Sequence, residues 1–126
     1  MKITDSKKLK DLQDEFKSIF PYLKIEFFSS PHSLGMGSNE ADILSTNLTV
    51  GEVRKNKKIG SIQLEGSMPV GVSEQLLQER FGLNVQVYRI SHGKWLQTWV
   101  TDLWTLDEQN NRGKIMIDLN NNPLTI

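Results

Sequence analysis

The stretch that decides the fold is LKDLQDEFKSIFPYLKIEFF at residues 9–28, because a similar pattern returns as VSEQLLQERFGLNVQVY at residues 72–88. The offset between the two copies is 61 residues from Phe20 to Phe81. A later stretch, TNLTVGE at residues 46–52, returns as TDLWTLDE at residues 101–108. These recurrences predict an internal duplication of a unit about half the length of the chain.

Each copy contains an amphipathic helix that ends at a residue unsuited to continue it. Apolar residues at helical spacing predict the first helix over residues 6–20, with Asp5 or Ser6 as its cap. Pro21 follows this helix, and Gly82 stands at the matching place in the second copy. Proline lacks the N–H that a helix needs, and glycine accepts the left-handed conformation common after a helix, so both mark helix ends.

Strands are predicted after each helix from the alternation of apolar and polar residues. The predicted strands are 23–28, 40–46 and 59–64 in the first copy, and 83–88, 94–102 and 114–119 in the second. Thr49 with Glu52, and Thr105 with Glu108, have capping-box spacing, so each pair predicts the start of a short helix.

The predicted fold class is therefore α+β, an internal duplication of a β-α-β-β-(short α)-β unit with pseudo-two-fold symmetry. The first repeat spans residues 1–65 and the second spans 59–126, with a shared central strand, and the two pack as one unit. A ferredoxin-like βαββαβ fold is the alternative. It ranks second because its second helix must cover half of the sheet, and the corresponding helix here is predicted to be short.

The second copy resembles the ubiquitin-like β-grasp superfamily from its second strand onward. The points of likeness are the strand at 61–65, the helix ending at Phe81-Gly82, the strand pair, the Thr105-Leu106-Asp107 turn and the strand at 114–119. Thr49-Val50-Gly51 fits the same turn in the first copy. The resemblance implies tandem β-grasp-like repeats that present sheet surfaces to partner proteins.

Composition argues against several functional classes. Fifteen basic and fifteen acidic side chains cancel, so no net charge favours binding to nucleic acid. Cysteine is absent, which excludes disulfides, thiolate nucleophiles and Cys-ligated metals. The N-terminus lacks the apolar run of a secretory signal, and no stretch reaches the roughly 18 apolar residues of a membrane span. We expect a cytoplasmic protein without a membrane partner.

Few residues suggest chemistry. His32 and His92 align at an offset of 60 and could meet across a pseudo-two-fold axis to bind a metal or sense pH, but solvated loop histidines are the favoured interpretation. The basic cluster at residues 54–58 is interpreted as a solvated turn, and Gly35-Met36-Gly37 as part of a flexible hairpin insertion. No catalytic constellation stands out, so we predict a protein that is not an enzyme and has no cofactor and no metal.

All three tryptophans, Trp95, Trp99 and Trp104, lie in the second copy. Alternation along the predicted strand 94–102 puts Trp95, Gln97 and Trp99 on one face of the sheet and turns Leu96 and Val100 towards the helices. The predicted partner-binding residues are Tyr88, Trp95, Gln97 and Trp99.

The predicted function is a non-catalytic protein-binding, scaffold or adaptor module that uses this aromatic sheet face to bind a partner protein or another copy of itself. A competing interpretation has the long loop of the first copy covering the face within one chain. Two alternative functions remain: a small-molecule-binding protein or enzyme with a site between the repeats, and single-stranded nucleic-acid binding on the sheet face. Nucleic-acid binding is disfavoured because no Arg or Lys interleaves with the tryptophans along their strand.

Overall fold

Four α-helices and two antiparallel sheets form the part of the chain that the structure, a computed structural model, describes: residues 1–33, 35–54 and 60–121. The elements in chain order are β1 (Lys2–Ile3), α1 (Leu9–Ile19), β2 (Leu23–Phe28), α2 (Val50–Val53), β3 (Gly60–Ser61), α3 (Val70–Phe81), β4 (Asn84–Ser91), β5 (Lys94–Gln97) and α4 (Leu106–Asn121). Short 3₁₀ helices lie at Glu40–Asp42 and Trp99–Thr101. The predicted α+β class is confirmed. None of the helices in the described ranges combines the length and apolar character that crossing a bilayer requires.

The larger sheet has the strand order β2–β4–β5, so a strand of the second predicted repeat pairs directly with one of the first. Leu23 lies opposite Arg89, and Phe28 lies opposite Asn84. Side chains alternate along a strand, and one face of this sheet carries the buried apolar residues Leu23, Ile25, Phe27, Val85 and Val87. The strands predicted at 23–28 and 83–88 are therefore confirmed.

Helix α1 packs on β2 and helix α3 packs on β4. The buried side chains of α1 are Leu9, Leu12 and Phe16, at the spacing that the sequence predicts. The start of α1 differs from the prediction: Lys8 is its N-cap residue, and the Lys8 N–H donates to the Asp11 carboxylate at 3.1 Å. Capping by Asp5 or Ser6 is wrong because residues 5–8 form a turn that pairs with another loop.

That paired turn occurs twice, and we call each occurrence a clasp. The first clasp consists of four backbone hydrogen bonds of 2.8–3.1 Å: Leu9 N–H to Leu48 O, Lys10 N–H to Thr46 O, Val50 N–H to Lys7 O, and Gly51 N–H to Asp5 O. The second clasp has the same four bonds at 2.8–3.0 Å: Val70 N–H to Trp104 O, Gly71 N–H to Asp102 O, Leu106 N–H to Met68 O, and Asp107 N–H to Gly66 O. Each clasp thus ties the start of a long helix to the start of a later one.

The two clasps correspond residue by residue. Leu9 matches Val70 at an offset of 61, the offset between Phe20 and Phe81 in the sequence. The capping box at Thr105 is confirmed, since Thr105 Oγ1 accepts from the Glu108 N–H at 3.1 Å and Glu108 Oε1 accepts from the Thr105 N–H at 3.2 Å. At Thr49 the side-chain cap is confirmed by the Glu52 N–H at 3.3 Å, but Glu52 Oε1 accepts from the Thr49 hydroxyl instead of its N–H. Helix α3 ends at Gly82 with φ +67°, as predicted. Duplication and β-grasp ancestry stay predictions.

Three of the predicted strands are helical in whole or in part. Residues 40–46 contain a 3₁₀ helix and a single bridge from Ile43 to Phe28 instead of a strand. The strand predicted at 94–102 stops at Gln97 and gives way to a 3₁₀ helix. Residues 114–119 belong to helix α4, which continues well beyond the short helix predicted at Thr105.

The strand predicted at 59–64 is reduced to β3, which pairs with β1 through Lys2 opposite Ser61. Ile59 lies outside the described residues. Both predicted repeats, 1–65 and 59–126, contribute to one hydrophobic core, with Ile3, Phe16 and Val50 from the first and Leu77, Phe81 and Leu106 from the second.

Helix α4 lies against β2 and β4 where a strand was predicted. Asn110 Oδ1 accepts a hydrogen bond from the Tyr22 N–H at 2.9 Å. Gly113 faces the sheet so closely that a Cβ there would lie 2.8 Å from the Tyr22 Cβ and 3.2 Å from the Ile90 Cγ2. The absence of a side chain at Gly113 lets the longer helix lie this close to Tyr22 and Ile90.

We expect Gly113→Ala to lower the free energy of unfolding by about 1–2 kcal/mol. Overpacking a close contact costs about 1–3 kcal/mol, which exceeds the gain of about 1 kcal/mol in helix propensity. Asn111→Ala, at an exposed position of the same helix, is the matched control and is expected to be neutral or slightly stabilising. Equilibrium urea unfolding measures both. A Gly113→Ala protein as stable as the wild type would contradict the close packing of α4.

Candidate functional site

The predicted site residues lie partly together on the face of the sheet opposite the core. Tyr88 is opposite Gln97, and Trp95 is opposite Ile90, so Tyr88, Trp95 and Gln97 share this outer face as predicted. Lys24 of β2 lies opposite Tyr88 on the same face. A loop from the first predicted repeat covers the centre of this face.

Tyr88 is only 4% exposed because that loop lies over it. The Tyr88 hydroxyl donates to Glu40 Oε1 at 3.0 Å, and Gln97 Nε2 donates to the same oxygen at 3.0 Å and to the Ser38 carbonyl at 2.9 Å. Burial raises the pKa of Tyr88, and the Glu40 carboxylate raises it further. Tyr88 and Gln97 therefore hold the loop in place, and Tyr88 does not face solvent as a partner-binding residue would.

Trp95 is partly buried beneath two lysines. Its ring centroid lies 5.2 Å from Lys24 Nζ and 5.4 Å from Lys17 Nζ, distances at which the ammonium groups are attracted to the ring face. Lys24 also forms an ion pair with Glu26 at 3.3 Å. Lys17 and Lys24 thus place positive charge close to this tryptophan, although neither lysine is on strand β5.

Trp99 is not part of the sheet, because strand β5 ends before it. The Thr98 hydroxyl donates to the Val87 carbonyl at 2.9 Å, and the following residues turn as a 3₁₀ helix. Trp99 is 41% exposed and covers Gly37 so closely that a Cβ at Gly37 would lie 2.8 Å from Trp99 Cδ1. The alternation predicted for residues 94–102 is therefore interrupted at Thr98.

The same interruption exposes a run of large apolar residues, which we call the apolar segment. Its exposed members are Leu96, Trp99, Val100, Leu103 and Trp104. Val100 is 74% exposed and Leu103 is 79% exposed. Leu96 lies on the core-facing side of the sheet, as predicted, because it is opposite Arg89, but it remains exposed on the edge strand. The prediction that Val100 turns towards the helices is wrong, because Val100 is no longer in a strand.

Two buried carboxyl groups, those of Asp102 and Glu74, lie next to the apolar segment. Asp102 lies between Val100 and Leu103 in the chain but is buried, and its Oδ2 accepts from the Gly35 N–H at 2.9 Å. Glu74 of α3 is also buried, and its Oε2 accepts from the Val87 N–H at 2.7 Å. Glu74 Oε1 and Asp102 Oδ1 are buried and have no hydrogen-bond partner among other groups, and each carboxyl group shifts the pKa of the other, so we infer that the two share a proton.

This arrangement keeps one proton on the pair. Burial raises the pKa of Glu74 well above its ordinary value, and the negative charge of Asp102 raises it further. Burial also raises the pKa of Asp102, while the Gly35 N–H and the nearby His32 lower it. Glu74 is therefore the protonated partner, and it donates to Asp102.

His32 lies beside the carboxyl pair, so its interpretation as a solvated loop residue is wrong. Its side chain is 7% exposed, with Nε2 at 2.9 Å from the Val85 carbonyl and 3.8 Å from Glu74 Oε1. His92 is exposed in the β4–β5 hairpin, as predicted. Among the described residues, no group of three or more His, Asp and Glu side chains is arranged to hold a metal ion.

Two other sequence features have structural roles. The Gly35–Gly37 loop donates backbone N–H groups to the protein itself, through Gly35 to Asp102 and through Ser38 to Gln97 Oε1 at 2.9 Å. Of the basic cluster, Arg54 places its Nε 2.7 Å from Asp5 Oδ1, whereas residues 55–58 lie outside the described residues.

Glu74 and Asp102 were not singled out by sequence, although one signal was available. Buried residues on α3 include Val70, Glu74, Leu77 and Phe81, so an acid occupies a core-facing position at helical spacing.

Comparison with protein-family models, curated proteins and solved structures finds no match.

We expect Glu74→Gln to change how stability depends on pH. Glu74 ionises near pH 4.5 in the unfolded chain, whereas the folded protein retains the proton to higher pH. The contribution of this group is therefore complete below pH 4.5 and is lost as pH rises towards the folded-state pKa, by up to about 1.4 kcal/mol per pH unit. Glutamine keeps both hydrogen bonds without ionising, so stability relative to the wild type should rise with pH.

Urea unfolding at several pH values between 4.5 and 8 measures this change. Glu79→Gln removes an exposed carboxylate from the same helix and is the matched control, expected to follow the wild-type profile. Parallel profiles for Glu74→Gln and the wild type would contradict the protonated pair.

Proposed function

We propose that this protein is a non-catalytic protein-binding module, a scaffold or adaptor, whose contact surface is the apolar segment. The observation that carries the proposal is the exposure of Val100 and Leu103 beside the partly exposed Trp99. The occupant is a segment of another protein that presents apolar side chains.

The energetic argument is that adjacent large apolar residues gain from being covered together. Scattered apolar residues on a protein surface need no explanation, whereas a contiguous apolar patch is typical of interaction sites. Full burial of a valine or leucine side chain contributes about 1.5–3 kcal/mol. Trp99 adds an aromatic ring, and tryptophan is enriched among the residues that dominate binding energy.

The segment is also held in a fixed shape. Thr98 is bonded to Val87, the Thr101 N–H donates to the Thr98 carbonyl at 3.0 Å, and Asp102 is bonded on both its backbone and its side chain. A surface ordered before binding loses less conformational entropy when a partner arrives. The buried polar anchors thus support presentation of the exposed apolar residues.

The proposed surface differs from the surface predicted from sequence. Trp99 belongs to both, and Gln97 and Tyr88 become supporting residues that hold the covering loop. Trp95 remains partly exposed but lies beneath Lys17 and Lys24. The tandem β-grasp-like architecture remains part of the proposal, supported by the two matching clasps.

A small-molecule site is the second candidate function. A pocket of about 370 Å³ is lined by Gly35, Trp99, Val100, Asp102 and Leu103, which combines apolar walls with a carboxyl group. Asp102 is buried and its Oδ2 accepts from the Gly35 N–H, so the group is poorly placed to act on a substrate. This favours the protein-binding proposal.

Peptides selected from a random phage-displayed library on the immobilised wild-type protein should bind through the apolar segment. We expect Val100→Ser/Leu103→Ser to weaken these peptides by at least about tenfold, because two apolar contacts are lost. Ile19→Ser/Ile115→Ser, at two exposed apolar positions on other helices, is the matched control and should retain affinity. Calorimetry measures the dissociation constants.

Absence of enriched peptides, or equal affinity for the wild type and Val100→Ser/Leu103→Ser, would contradict the proposal. Sedimentation of the wild-type protein tests whether a second copy of this chain covers the apolar segment. Self-association that disappears in the double variant would identify a second copy of this chain instead of another protein.

A further inference from the structure

Arg89 occupies a position where a neutral apolar residue would be expected. It follows Val85 and Val87 on the core-facing side of β4 and lies opposite Leu23 on one side and Leu96 on the other. Its Nη1 donates to Gln109 Oε1 at 3.0 Å, and its Cζ lies 6.0 Å from the Trp104 ring centroid. Its Nε is buried and has no hydrogen-bond partner.

The positive charge of Arg89 is not balanced. Lys7, Lys24 and Arg54 each pair with a carboxylate, whereas no acidic side chain in the described ranges pairs with Arg89. Burial lowers the pKa of Arg89, and the positive charge of Arg112 lowers it further. Arginine nevertheless stays charged in proteins, and a partly desolvated charge without a partner is costly.

Arg89 also lines a pocket next to the apolar segment. The pocket has a volume of about 270 Å³ and is lined by Arg89, Leu96, Gln97, Thr98, Val100 and Thr101. Water occupies roughly 30 Å³ per molecule in the liquid, so this space exceeds what one or two waters fill. Leu96 and Val100 belong to the apolar segment, which places a cation directly beside the proposed contact surface.

We propose that Arg89 binds a carboxylate of the partner whose apolar side chains cover the apolar segment. The guanidinium group presents paired N–H donors that match the two oxygens of a carboxylate. A carboxylate fits better than a phosphate, because Arg89 supplies the single positive charge among the described residues that line this pocket. The partner is then an apolar segment that carries an acidic side chain or ends in a free carboxylate. This inference rests on the proposed function.

The direct test uses nitrogen-15-labelled wild-type protein and follows the Nε–H resonance of Arg89. N-acetyl-leucine, which joins a carboxylate to an apolar side chain, should shift this resonance saturably. N-acetyl-leucinamide, which lacks the charge, should not shift it, and the exposed Arg80 is the internal control. No saturable shift, an equal response to the amide, or a stronger response to inorganic phosphate would overturn the carboxylate site.

The peptides selected from the phage-displayed library provide a second test of the carboxylate site. Replacing the carboxylate of a peptide by an amide should weaken binding to the wild type by about tenfold or more, and should matter far less to Arg89→Lys, which keeps the charge but loses the paired donors. Comparison of side-chain and chain-end amides identifies the source of the carboxylate. Peptides that need Val100 and Leu103 but bind equally as acid and amide would overturn this inference alone. A response to N-acetyl-leucine without any selected peptide would overturn the proposed function alone.

Discussion

The antiparallel pairing of β2 with β4 is the constraint on which the rest of the structure depends. It joins the two predicted repeats in one sheet, and its register places Ile25 opposite Val87 and Phe27 opposite Val85 in the core. A shift by one residue would exchange the two faces of either strand. The same register turns Arg89 towards the pocket beside the apolar segment and Tyr88 towards the loop that covers the outer face.

Buried polar groups determine the shape of the proposed contact surface. The Asp102 carbonyl accepts from the Gly71 N–H within a clasp and its carboxylate accepts from the Gly35 N–H, and these bonds hold residues 98–103 in a tight turn. If the strand had continued past Gln97, its alternation would have placed Val100 on the helix-facing side of the sheet. The turn instead leaves Val100 and Leu103 exposed to solvent and buries Asp102 between them. Hydrophobic burial alone would favour the opposite arrangement, because burying a carboxyl group costs free energy.

Local sequence signals predicted the elements whose ends are set by local chemistry. The helix caps at Thr49 and Thr105, the stop at Gly82 and the alternation at 23–28 all operate within a few residues, and all match the structure. The failures came where distant contacts decide. Residues 114–119 read as a strand because Ile115, Met116 and Ile117 are adjacent, yet the close contact of Gly113 with Tyr22 favours a helix.

The sequence by itself determined the α+β class, the two long helices, the two paired strands and the recurrence at an offset of 61, because hydrophobic periodicity and caps act along the chain. Only the tertiary structure decided which side chains face solvent near the tryptophans. Burial of Tyr88 depends on Glu40, 48 residues away, and Asp102 in the apolar segment is held by Gly35, 67 residues away. Such contacts join residues far apart in the chain, so their energies leave no periodic signal in the sequence.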